Sequence, residues 1–466
     1  MRPPRPCLRP HGGSCCSAPL PMAGDRPPPL RTGPGLRTGP RLRTGLPLLL
    51  RQGGTLFSGT MVAAVIAFVQ SVLLTRLLGL DGFGRWGLVV AAGITAVTLC
   101  RFRVSDALAV FVERERARAR SYYMLATAIE LASRLIAAGG LILLSPLISH
   151  SMVQGPALVT PLMIYAASLI ADFPESAWFA ACRDQDRYRL IAAANPAPLI
   201  LQLAGLGIIS AAGWLSITAL AINAVAAATI LSALKLTHLS RLLAGGQGAW
   251  RIDRNRALAF IRFSAAGWFA NVVNAATRSA DLLILGALRS DSEVGAYRLA
   301  RSLMQIVWSF GSALTNITFK DIAGRIAAGT TARLYRELRR ASLALGLAAL
   351  AIYLLTVPLG ARPVIIAIFG ADAAATASLL AVLLPAPAIA ISLFWAQPLL
   401  LNLHRLRAYT LANGCLGLGF LMLAIPMTAI AGATGLAIAF TASWSAYSVA
   451  IAALAARALA RRRAAT

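Results

Sequence analysis

Acidic residues are scarce in this chain, and charged residues of both signs are few. Charged side chains make up 13% of the 466 residues, against 58% hydrophobic residues, and the mean hydropathy is +0.70. Soluble domains usually contain about 25% charged and about 45 to 50% apolar residues. The composition therefore excludes an ordinary soluble protein and indicates an integral membrane protein; the long apolar runs described below place it in the all-α class.

The sequence gives no sign of an enzyme in its cysteines and histidines or in the common motifs for nucleotide binding and nucleophilic catalysis. The six cysteines contain no CxxC pair and the four histidines lie far apart, so we expect neither a disulfide framework nor a metal site. The sequence has no G-x-x-x-x-G-K-[ST] loop to hold ATP phosphates and no G-x-S-x-G elbow to carry a nucleophile. We therefore expect no cofactor and no covalent chemistry.

Residues 1–50 differ in composition from the rest, because they are rich in Arg, Pro and Gly. The motif LRTGP begins at Leu30 and at Leu36, and LRTG begins at Leu42. Such a segment buries too little apolar surface to fold, so we predict disorder, and it lacks the features of a secretory signal. Two interpretations stay open: a basic tail that holds anionic lipid, or a translation start assigned too far upstream, with Met22 as the alternative.

Long apolar segments recur from Gly53 onward, each long enough to cross a hydrocarbon core of about 30 Å. We predict twelve transmembrane helices: 53–75, 84–104, 122–146, 157–181, 190–212, 214–236, 263–287, 294–319, 340–358, 373–402, 408–430 and 433–457. The corresponding domains are a tail (1–50), an N-terminal six-helix lobe (51–236), a cytoplasmic connection (237–262), a C-terminal six-helix lobe (263–457) and a basic tail (458–466).

Lysine and arginine are distributed unevenly between alternate connections. With the N-terminus taken as cytoplasmic, most of them fall on the inner side: Arg101–Arg120, Arg183–Arg189, Lys235–Arg262, Lys320–Arg340, Arg405, Arg407 and Arg457–Arg463. The outer connections hold Arg76, Arg85, Arg289, Arg298, Arg301 and Arg362. The positive-inside rule therefore places both termini in the cytoplasm. The net charge of +27 lies against the anionic inner leaflet and requires no nucleic-acid partner.

A short repeat indicates two related halves. One copy is LLTRLLGLDGFGRWGL at Leu73–Leu88, and the other is LLILGALRSDSEVGAYRLA at Leu282–Ala300. Aligning Gly84 with Gly295 gives an offset of 211 residues, which superposes the first predicted helix on the seventh. Six helices separate the copies, so both halves have the same orientation. We predict two pseudo-symmetric six-helix bundles with the substrate site between them.

The seventh predicted helix carries a polar stripe on an otherwise apolar surface. Asn271, Asn274, Arg278 and Asp281 are separated by three, four and three residues, which places them on one helical face. An ionised group that faces lipid costs about 3 kcal/mol or more, so the stripe faces protein or water. Either these side chains line a substrate cavity, or Arg278 and Asp281 neutralise each other as structural glue.

Charged residues also occur inside predicted helices of the first half. Glu130 and Arg134 are four residues apart, and one interpretation is an i,i+4 pair that acts as structural glue. The other assigns Arg134 to the substrate cavity and makes Glu130 a candidate for ion coupling. Asp172 and Glu175 flank Pro174, where the helix is expected to break. Acidic groups at a broken helix are candidates for coupling to Na⁺ or a proton, and the alternative is that they pair with Arg134 or lie near the cytoplasmic interface.

A second polar stripe lies on the eighth predicted helix. Gln305, Ser309, Ser312 and Asn316 follow steps of four, three and four residues. Small polar residues also mediate ordinary helix packing, so we assign only Gln305 to the cavity. Arg76, at the outer end of the first helix, is either a substrate ligand or an interfacial anchor.

Two motifs carry a family resemblance. TRLLGLDGFGRWGL and DLLILGALRSDSEVGAYRLARSLMQ resemble the polysaccharide-export branch of the multidrug/oligosaccharidyl-lipid/polysaccharide exporter superfamily, the Wzx-type O-antigen flippases. The similarity covers residues 52–457, and only the basic tail departs from the pattern. It implies translocation of an undecaprenyl-diphosphate-linked oligosaccharide across the bacterial inner membrane by alternating access, through a cationic lumen. It also implies membrane lipids and a polysaccharide polymerase or ligase as partners.

A lipid-diphosphate substrate fits the polar residues already singled out. A guanidinium such as Arg278 or Arg134 can replace phosphate hydration with bidentate hydrogen bonds, and the amides of Asn271 and Asn274 suit a glycan. One rival hypothesis is a multidrug or metabolite antiporter of the same superfamily, coupled to an ion through Asp172 or Asp281. The other is a membrane-embedded glycan polymerase or ligase, although the short outer connections leave little room for a catalytic loop.

Overall fold

The described part of the chain is helical throughout. The computed structural model describes residues 46–153, 155–244, 252–266, 268, 272, 280–327, 331–359, 361–403 and 405–464. Its helices are α1 (Leu46–Cys100), α2 (Val104–Arg114), α3 (Ala119–Val153), α4 (Val159–Ala171), α5 (Glu175–Asp184), α6 (Tyr188–Ala194), α7 (Ala197–Ala211), α8 (Ile217–Ala244), α9 (Arg254–Ala266), α10 (Ala280–Leu288), α11 (Asp291–Ala327), α12 (Thr331–Leu359), α13 (Ala361–Phe369), α14 (Ala374–Leu383), α15 (Pro385–Ser392), α16 (Ala396–Asn402) and α17 (Leu406–Ala464). Helices α1–α8 are called the first half, and α10–α17 the second half.

Eight helical stretches in the described residues are long and apolar enough to cross a membrane. They are Ser58–Arg114, Arg116–Val153, Pro156–Asp184, Tyr188–Ala211, Ile217–Arg241, Leu334–Leu355, Ala371–Ser392 and Arg407–Arg462. Two of them, of 57 and 56 residues, greatly exceed the roughly 20 residues that one crossing needs. Each is broken at a glycine with positive φ, Gly79 (70°) or Gly432 (58°), a conformation that other residues rarely adopt. The multi-pass helical class is confirmed, while the count of twelve and the domain boundaries stay predictions.

The two halves meet where α1 crosses α11, and this contact follows the predicted repeat. A Cβ atom at Gly84 would overlap the carbonyl oxygen of Asp291, and one at Gly295 would overlap the carbonyl oxygen of Leu80. Each residue of the first contact lies 211 positions from its counterpart in the second. The crossing is therefore pseudo-symmetric about an axis between Gly84 and Gly295, and both positions need glycine because backbone approaches backbone.

Apolar packing is continuous at the crossing and divided at the other end of the helices. A shared cluster joins Phe83 of the first half to Tyr297 and Phe440 of the second. At the other end, which carries the Arg-rich connections and is called the basic end, separate clusters form around Tyr122 and around Leu399. The halves are thus packed together at the crossing end, and each half has a core of its own at the basic end.

Polar contacts reinforce the crossing end. Arg85 forms an ion pair with Asp291 at 2.6 Å, which links α1 to the start of α11. Glu293 accepts a hydrogen bond from the backbone N–H of Ala433 at 2.9 Å, beside the break in α17. The first turn of α11 therefore contacts both α1 and α17, and it links the crossing to the most C-terminal helix.

Candidate functional site

A cavity of about 380 Å³ lies between the two halves, on the basic-end side of the crossing. The parts of α1 before and after the break at Gly79 form one wall, and α10 and α11 form the other. The polar side chains in its lining include Asp281, Arg298, Arg301 and Gln305. Since the described lining contains two guanidinium groups and one carboxylate, this central cavity carries a net positive charge.

Asp281 and Arg301 form the ion pair of the central cavity. Arg301 Nε donates to Asp281 Oδ2 at 2.9 Å, and the hydroxyl of Tyr297 donates to the same oxygen at 3.2 Å. The carboxylate side chain is 1% exposed, whereas that of Arg301 is 18% exposed. The guanidinium also lies 4.2 Å from the ring centroid of Phe440, where the negative face of the ring attracts a cation. Asp281 is thus buried behind Arg301, which reaches the cavity.

Arg298 has a different environment, because the groups that hold it are neutral. Its Nη1 donates to the carbonyl oxygen of Phe83 at 2.7 Å, and its guanidinium lies 4.3 Å from the centroid of the Phe83 ring. A Cβ at Gly87 would contact the Arg298 side chain at 2.5 Å, so the absence of a side chain there makes room for it. No ion pair of Arg298 is found within the described residues. Its positive charge therefore lacks a counter-charge in the part of the chain that the structure describes.

The predicted eighth helix, 294–319, contains Arg298 and Arg301, although both were counted with the basic residues of the outer side; the structure corrects that count. Helix α11 begins at Asp291, so both arginines are inside it and face the central cavity. A signal was present in the sequence: the stripe that contains Gln305 extends four residues back to Arg301 and three more to Arg298. The polar stripe of this helix is therefore longer and more basic than predicted.

The predicted cavity residues of the seventh helix are only partly described. Asn271, Asn274 and Arg278 lie outside the described residues, so their roles stay predictions. Asp281 does line the central cavity, and its described ion-pair partner is Arg301. Gln305 lines the same cavity, which agrees with its assignment from the stripe.

The other residues of the predicted polar stripe on α11 are not in the described lining of the central cavity. Ser309 is buried and its hydroxyl donates to the carbonyl oxygen of Gln305 at 2.9 Å, which is a packing role. Ser312 lines a second cavity, described below. The side chain of Asn316 lies outside the described residues.

Arg134 belongs to a charged cluster inside the first half, and the described lining of the central cavity does not include it. Its Nη2 lies 3.0 Å from Asp172 Oδ2 and 3.3 Å from Glu175 Oε2, and Lys235 Nζ lies 3.8 Å from Asp172 Oδ1. Helices α4 and α5 are separate on either side of Pro174, so the predicted break is present. The geometry agrees with the pairing interpretation of these residues, while their roles as substrate or ion ligands stay predictions.

Glu130 does not pair with Arg134 in the described contacts, contrary to the i,i+4 interpretation. Its carboxylate oxygens accept hydrogen bonds from the backbone N–H of Ser176 at 2.9 and 3.0 Å, and from that of Ala177 at 3.4 Å. These donors belong to the first turn of α5, whose helix dipole favours a negative charge. Glu130 therefore stabilises the start of α5 from the neighbouring helix α3.

Glu130→Ala is expected to lower the free energy of unfolding by about 2 kcal/mol, because it leaves buried N–H groups of α5 without an acceptor. Thermal unfolding followed by tryptophan fluorescence measures the change. The matched control is Glu113→Ala, since the Glu113 side chain is 68% exposed and pairs with Arg116 at the surface. Surface pairs contribute about 0 to 1 kcal/mol, so equal destabilisation by both variants would contradict the capping role.

Arg76 lies at the crossing end and is absent from the described lining of the central cavity. Its Nε donates to the carbonyl oxygen of Ile368 at 2.7 Å, and Nη2 donates to that of Ala367 at 2.6 Å. These are carbonyl groups at the C-terminal end of α13, which attract a cation. Arg76 therefore links α1 to the second half, and a role as substrate ligand stays a prediction.

The described residues contain no group of three or more His, Cys, Asp or Glu side chains arranged to hold a metal ion. What the site offers is a positively charged cavity between pseudo-symmetric helical halves, closed at one end. This is the architecture of alternating-access transporters, in which the halves move against each other around a fixed site. The fold is therefore that of a multi-pass helical membrane protein with two related halves.

Comparison with solved structures supports this fold. The chain is similar to lipid II flippase MurJ in an inward closed conformation, with a TM-score of 0.69, 12% identity, and coverage of 85% of this chain and 86% of that one. It is also similar to an inward-facing multidrug resistance MATE family transporter of the MOP superfamily, with a TM-score of 0.65, 13% identity and coverage of 86% and 95%. For the MATE multidrug transporter DinF-BH, the TM-score is 0.63, the identity 16% and the coverage 92% and 98%.

The sequence itself gives the family. The chain belongs to the polysaccharide biosynthesis protein family, whose model matches residues 49–317. No curated protein is similar enough to the chain to be counted as a relative. The resemblance inferred from the two motifs is therefore confirmed for the family and the fold.

Proposed function

We propose that this protein moves an undecaprenyl-diphosphate-linked oligosaccharide from the inner to the outer leaflet of the bacterial inner membrane, for assembly of a surface polysaccharide such as O-antigen. The observation that supports this most directly is Arg298, a cation in the central cavity whose described partners are all neutral. A cation that is partly removed from water without a counter-charge is costly, and an anionic substrate relieves that cost.

A diphosphate matches the chemistry of the central cavity. Guanidinium groups bind phosphate oxygens through two parallel hydrogen bonds, which replace the water lost when the headgroup leaves the interface. Arg298 and Arg301 lie three residues apart on α11 and line the same cavity, so they can contact neighbouring phosphate oxygens. Asp281 balances the charge of Arg301, and an entering diphosphate competes with it for that guanidinium.

Alternating access fits the unequal packing of the two ends. The shared apolar cluster and the Gly84–Gly295 crossing close one end of the central cavity, and the basic end has two separate cores. Translocation requires the crossing to open while the basic end closes, which is a rocking of the halves. The polyprenyl chain can remain in the bilayer throughout, since only the polar headgroup needs the cavity.

The first rival is an ion-coupled multidrug or metabolite antiporter, and the specific observation in its favour is the acidic cluster of the first half. Asp172 and Glu175 share Arg134, and their side chains are 40% and 44% exposed, so they are not enclosed by protein. The central cavity argues against organic cations, because its described charged groups are mostly basic. A cluster that couples transport to an ion is also compatible with a flippase.

A membrane-embedded polymerase or ligase is less well supported. The described connections opposite the basic end are short: residues 212–216 separate α7 from α8, and residues 289–290 separate α10 from α11. They leave no room for a sizeable catalytic loop at these positions. Transfer of labelled glycan by the purified protein alone would support this class over transport.

The proposal is tested in proteoliposomes that contain a fluorescent undecaprenyl-diphosphate oligosaccharide. A membrane-impermeant glycosidase added outside cleaves only outward-facing glycan, so wild-type protein is expected to make the inner-leaflet pool accessible far faster than empty liposomes. To cover the possible driving forces, the assay is run without a gradient, with a Na⁺ gradient and with a proton gradient. Equal rates with and without protein in all three conditions, together with uptake of an organic cation, would favour the antiporter.

A further inference from the structure

The second half contains another cavity, of about 340 Å³, which the proposed translocation has not used. It lies between α11, the α15–α16 region and α17, and we call it the aromatic cavity. Its lining includes Trp308, Trp444, Tyr409 and Tyr447, together with the amide side chains of Gln397 and Asn413. None of its described lining residues is charged. Its size is within the range of small-molecule sites, about 300 to 1,000 Å³.

Ring faces and amides dominate this cavity. The rings of Trp308 and Trp444 are 4.7 Å apart between centroids and nearly perpendicular, and Tyr447 lies 5.6 Å from Trp444. The indole N–H of Trp444 is buried without an acceptor among the described residues. A buried polar group without a partner costs free energy, so the indole N–H does not stabilise this packing.

The amides still have hydrogen-bonding capacity. Gln397 Nε2 donates to the hydroxyl of Tyr409 at 3.0 Å, and its carbonyl oxygen and second N–H have no other partner among the described residues. Asn413 accepts from the hydroxyl of Tyr447 at 3.2 Å and donates to the carbonyl oxygen of Tyr409 at 2.9 Å. Donors and acceptors therefore lie beside aromatic faces, with no carboxylate to select a cation and no arginine to select an anion in the described lining.

An uncharged sugar ring meets all of these conditions. Its hydroxyl groups both donate and accept hydrogen bonds, and its C–H groups carry slight positive charge that favours the negative face of an aromatic ring. An acyl chain would leave the amides without partners, and a phosphate would lack a counter-charge. Resting on the proposed function, we infer that the aromatic cavity binds an uncharged sugar residue of the glycan while its diphosphate contacts Arg298 and Arg301.

The two cavities are neighbours, as this inference requires. The guanidinium of Arg301 lies over the ring of Phe440, and Phe440 lies 6.0 Å from Trp444, so one ring separates the cationic group from the aromatic cavity. Helix α11 lines both cavities, the central one with Arg301 and the aromatic one with Trp308. Seven residues of helix rise about 10 Å, a distance that a short glycan spans.

The test measures binding by the full-length protein in lipid nanodiscs. The probes are undecaprenyl diphosphate, the same lipid carrying diacetylchitobiose, free diacetylchitobiose, and tetraphenylphosphonium as an organic cation. The wild type is expected to bind the glycosylated lipid about tenfold more tightly than the bare lipid. Trp308→Leu and Gln397→Ala are expected to remove most of that difference without changing the affinity for the bare lipid. Trp214→Leu is the matched control, since Trp214 is 75% exposed.

The outcomes separate this inference from the proposed function. If the wild type binds both lipids equally, or if Trp308→Leu weakens both to the same extent, the sugar site is wrong and the diphosphate site stands. If neither lipid binds but free diacetylchitobiose binds in a manner that Trp308→Leu abolishes, the sugar site stands and the diphosphate proposal fails. Binding of tetraphenylphosphonium that depends on Trp308 would overturn the choice of an uncharged sugar.

Discussion

Arg298→Gln is expected to slow translocation of the lipid-diphosphate glycan by roughly 10- to 100-fold. A hydrogen bond to a charged group contributes about 1.5 to 3 kcal/mol, and each 1.4 kcal/mol is a factor of ten. Glutamine keeps a donor for the carbonyl oxygen of Phe83, so the structural contact of Arg298 survives in part. Mainly the charge is lost, and the proteoliposome assay measures its effect.

A surface arginine provides the control for this experiment. Arg362 is exposed and is not part of the described lining of the central cavity, so Arg362→Gln is expected to transport at the wild-type rate. Wild-type transport by Arg298→Gln, at a normal amount of folded protein, would remove the main support for an anionic substrate.

Arg301 requires a different design, because Asp281 is buried against it. Arg301→Gln alone leaves a carboxylate without its cation, which costs about 3 to 5 kcal/mol and confounds transport with folding. The double variant Arg301→Gln with Asp281→Asn replaces the ion pair by a neutral pair. It is expected to fold and still to transport more slowly, since the cavity has lost one guanidinium.

Gly295→Val is expected to reduce translocation to the background rate, because the crossing end can no longer close. The valine side chain would overlap the carbonyl group of Leu80. Because backbone packs on backbone there, the overlap is relieved only if α1 moves away from α11. Gly84→Val should have the same effect through the carbonyl oxygen of Asp291. Transport is read in the proteoliposome assay.

Cysteine labelling shows whether the lost transport comes from an open crossing. In a cysteine-free background carrying Gln305→Cys, a membrane-impermeant maleimide added to intact cells should label the central cavity only when Gly295→Val is also present. The control is Gly139→Val, because a Cβ at Gly139 meets no atom within 4 Å. Normal transport by Gly295→Val would contradict the role of the crossing as a gate.

Local sequence patterns predicted the parts of the site that depend on helical periodicity and on glycine. The positions of Asp281 and Gln305 followed from the spacing of polar residues, since the helix period fixes which residues share a face. The alignment of Gly84 with Gly295 predicted two related halves, and the structure adds that both positions lie where backbone approaches backbone, which restricts them to glycine.

The roles of Arg298, Arg134 and Glu130 could not be predicted in this way. Arg298 is stabilised by Phe83, which is 215 residues away, and its position near the start of the predicted eighth helix, 294–319, does not indicate that contact. Arg134 and Glu130 are four residues apart, yet they have different partners. Arg134 forms an ion pair with Asp172, and Glu130 accepts a hydrogen bond from the backbone N–H of Ser176. Contacts between distant segments depend on how whole helices pack, and a local pattern does not contain that information.

The pairing of Gly87 with Arg298 has a consequence for the origin of the molecule. These positions are 211 residues apart, which is the offset between the two halves. Gly87 and Arg298 are therefore equivalent positions that contact each other across the axis. In an ancestral homodimer of six-helix subunits, the same residue would have met its copy there, and two arginines would have repelled each other. Gene fusion removes that constraint, because one copy can keep glycine while the other acquires the guanidinium. A guanidinium in one half that faces a glycine at the equivalent position of the other is thus an arrangement available to a single polypeptide.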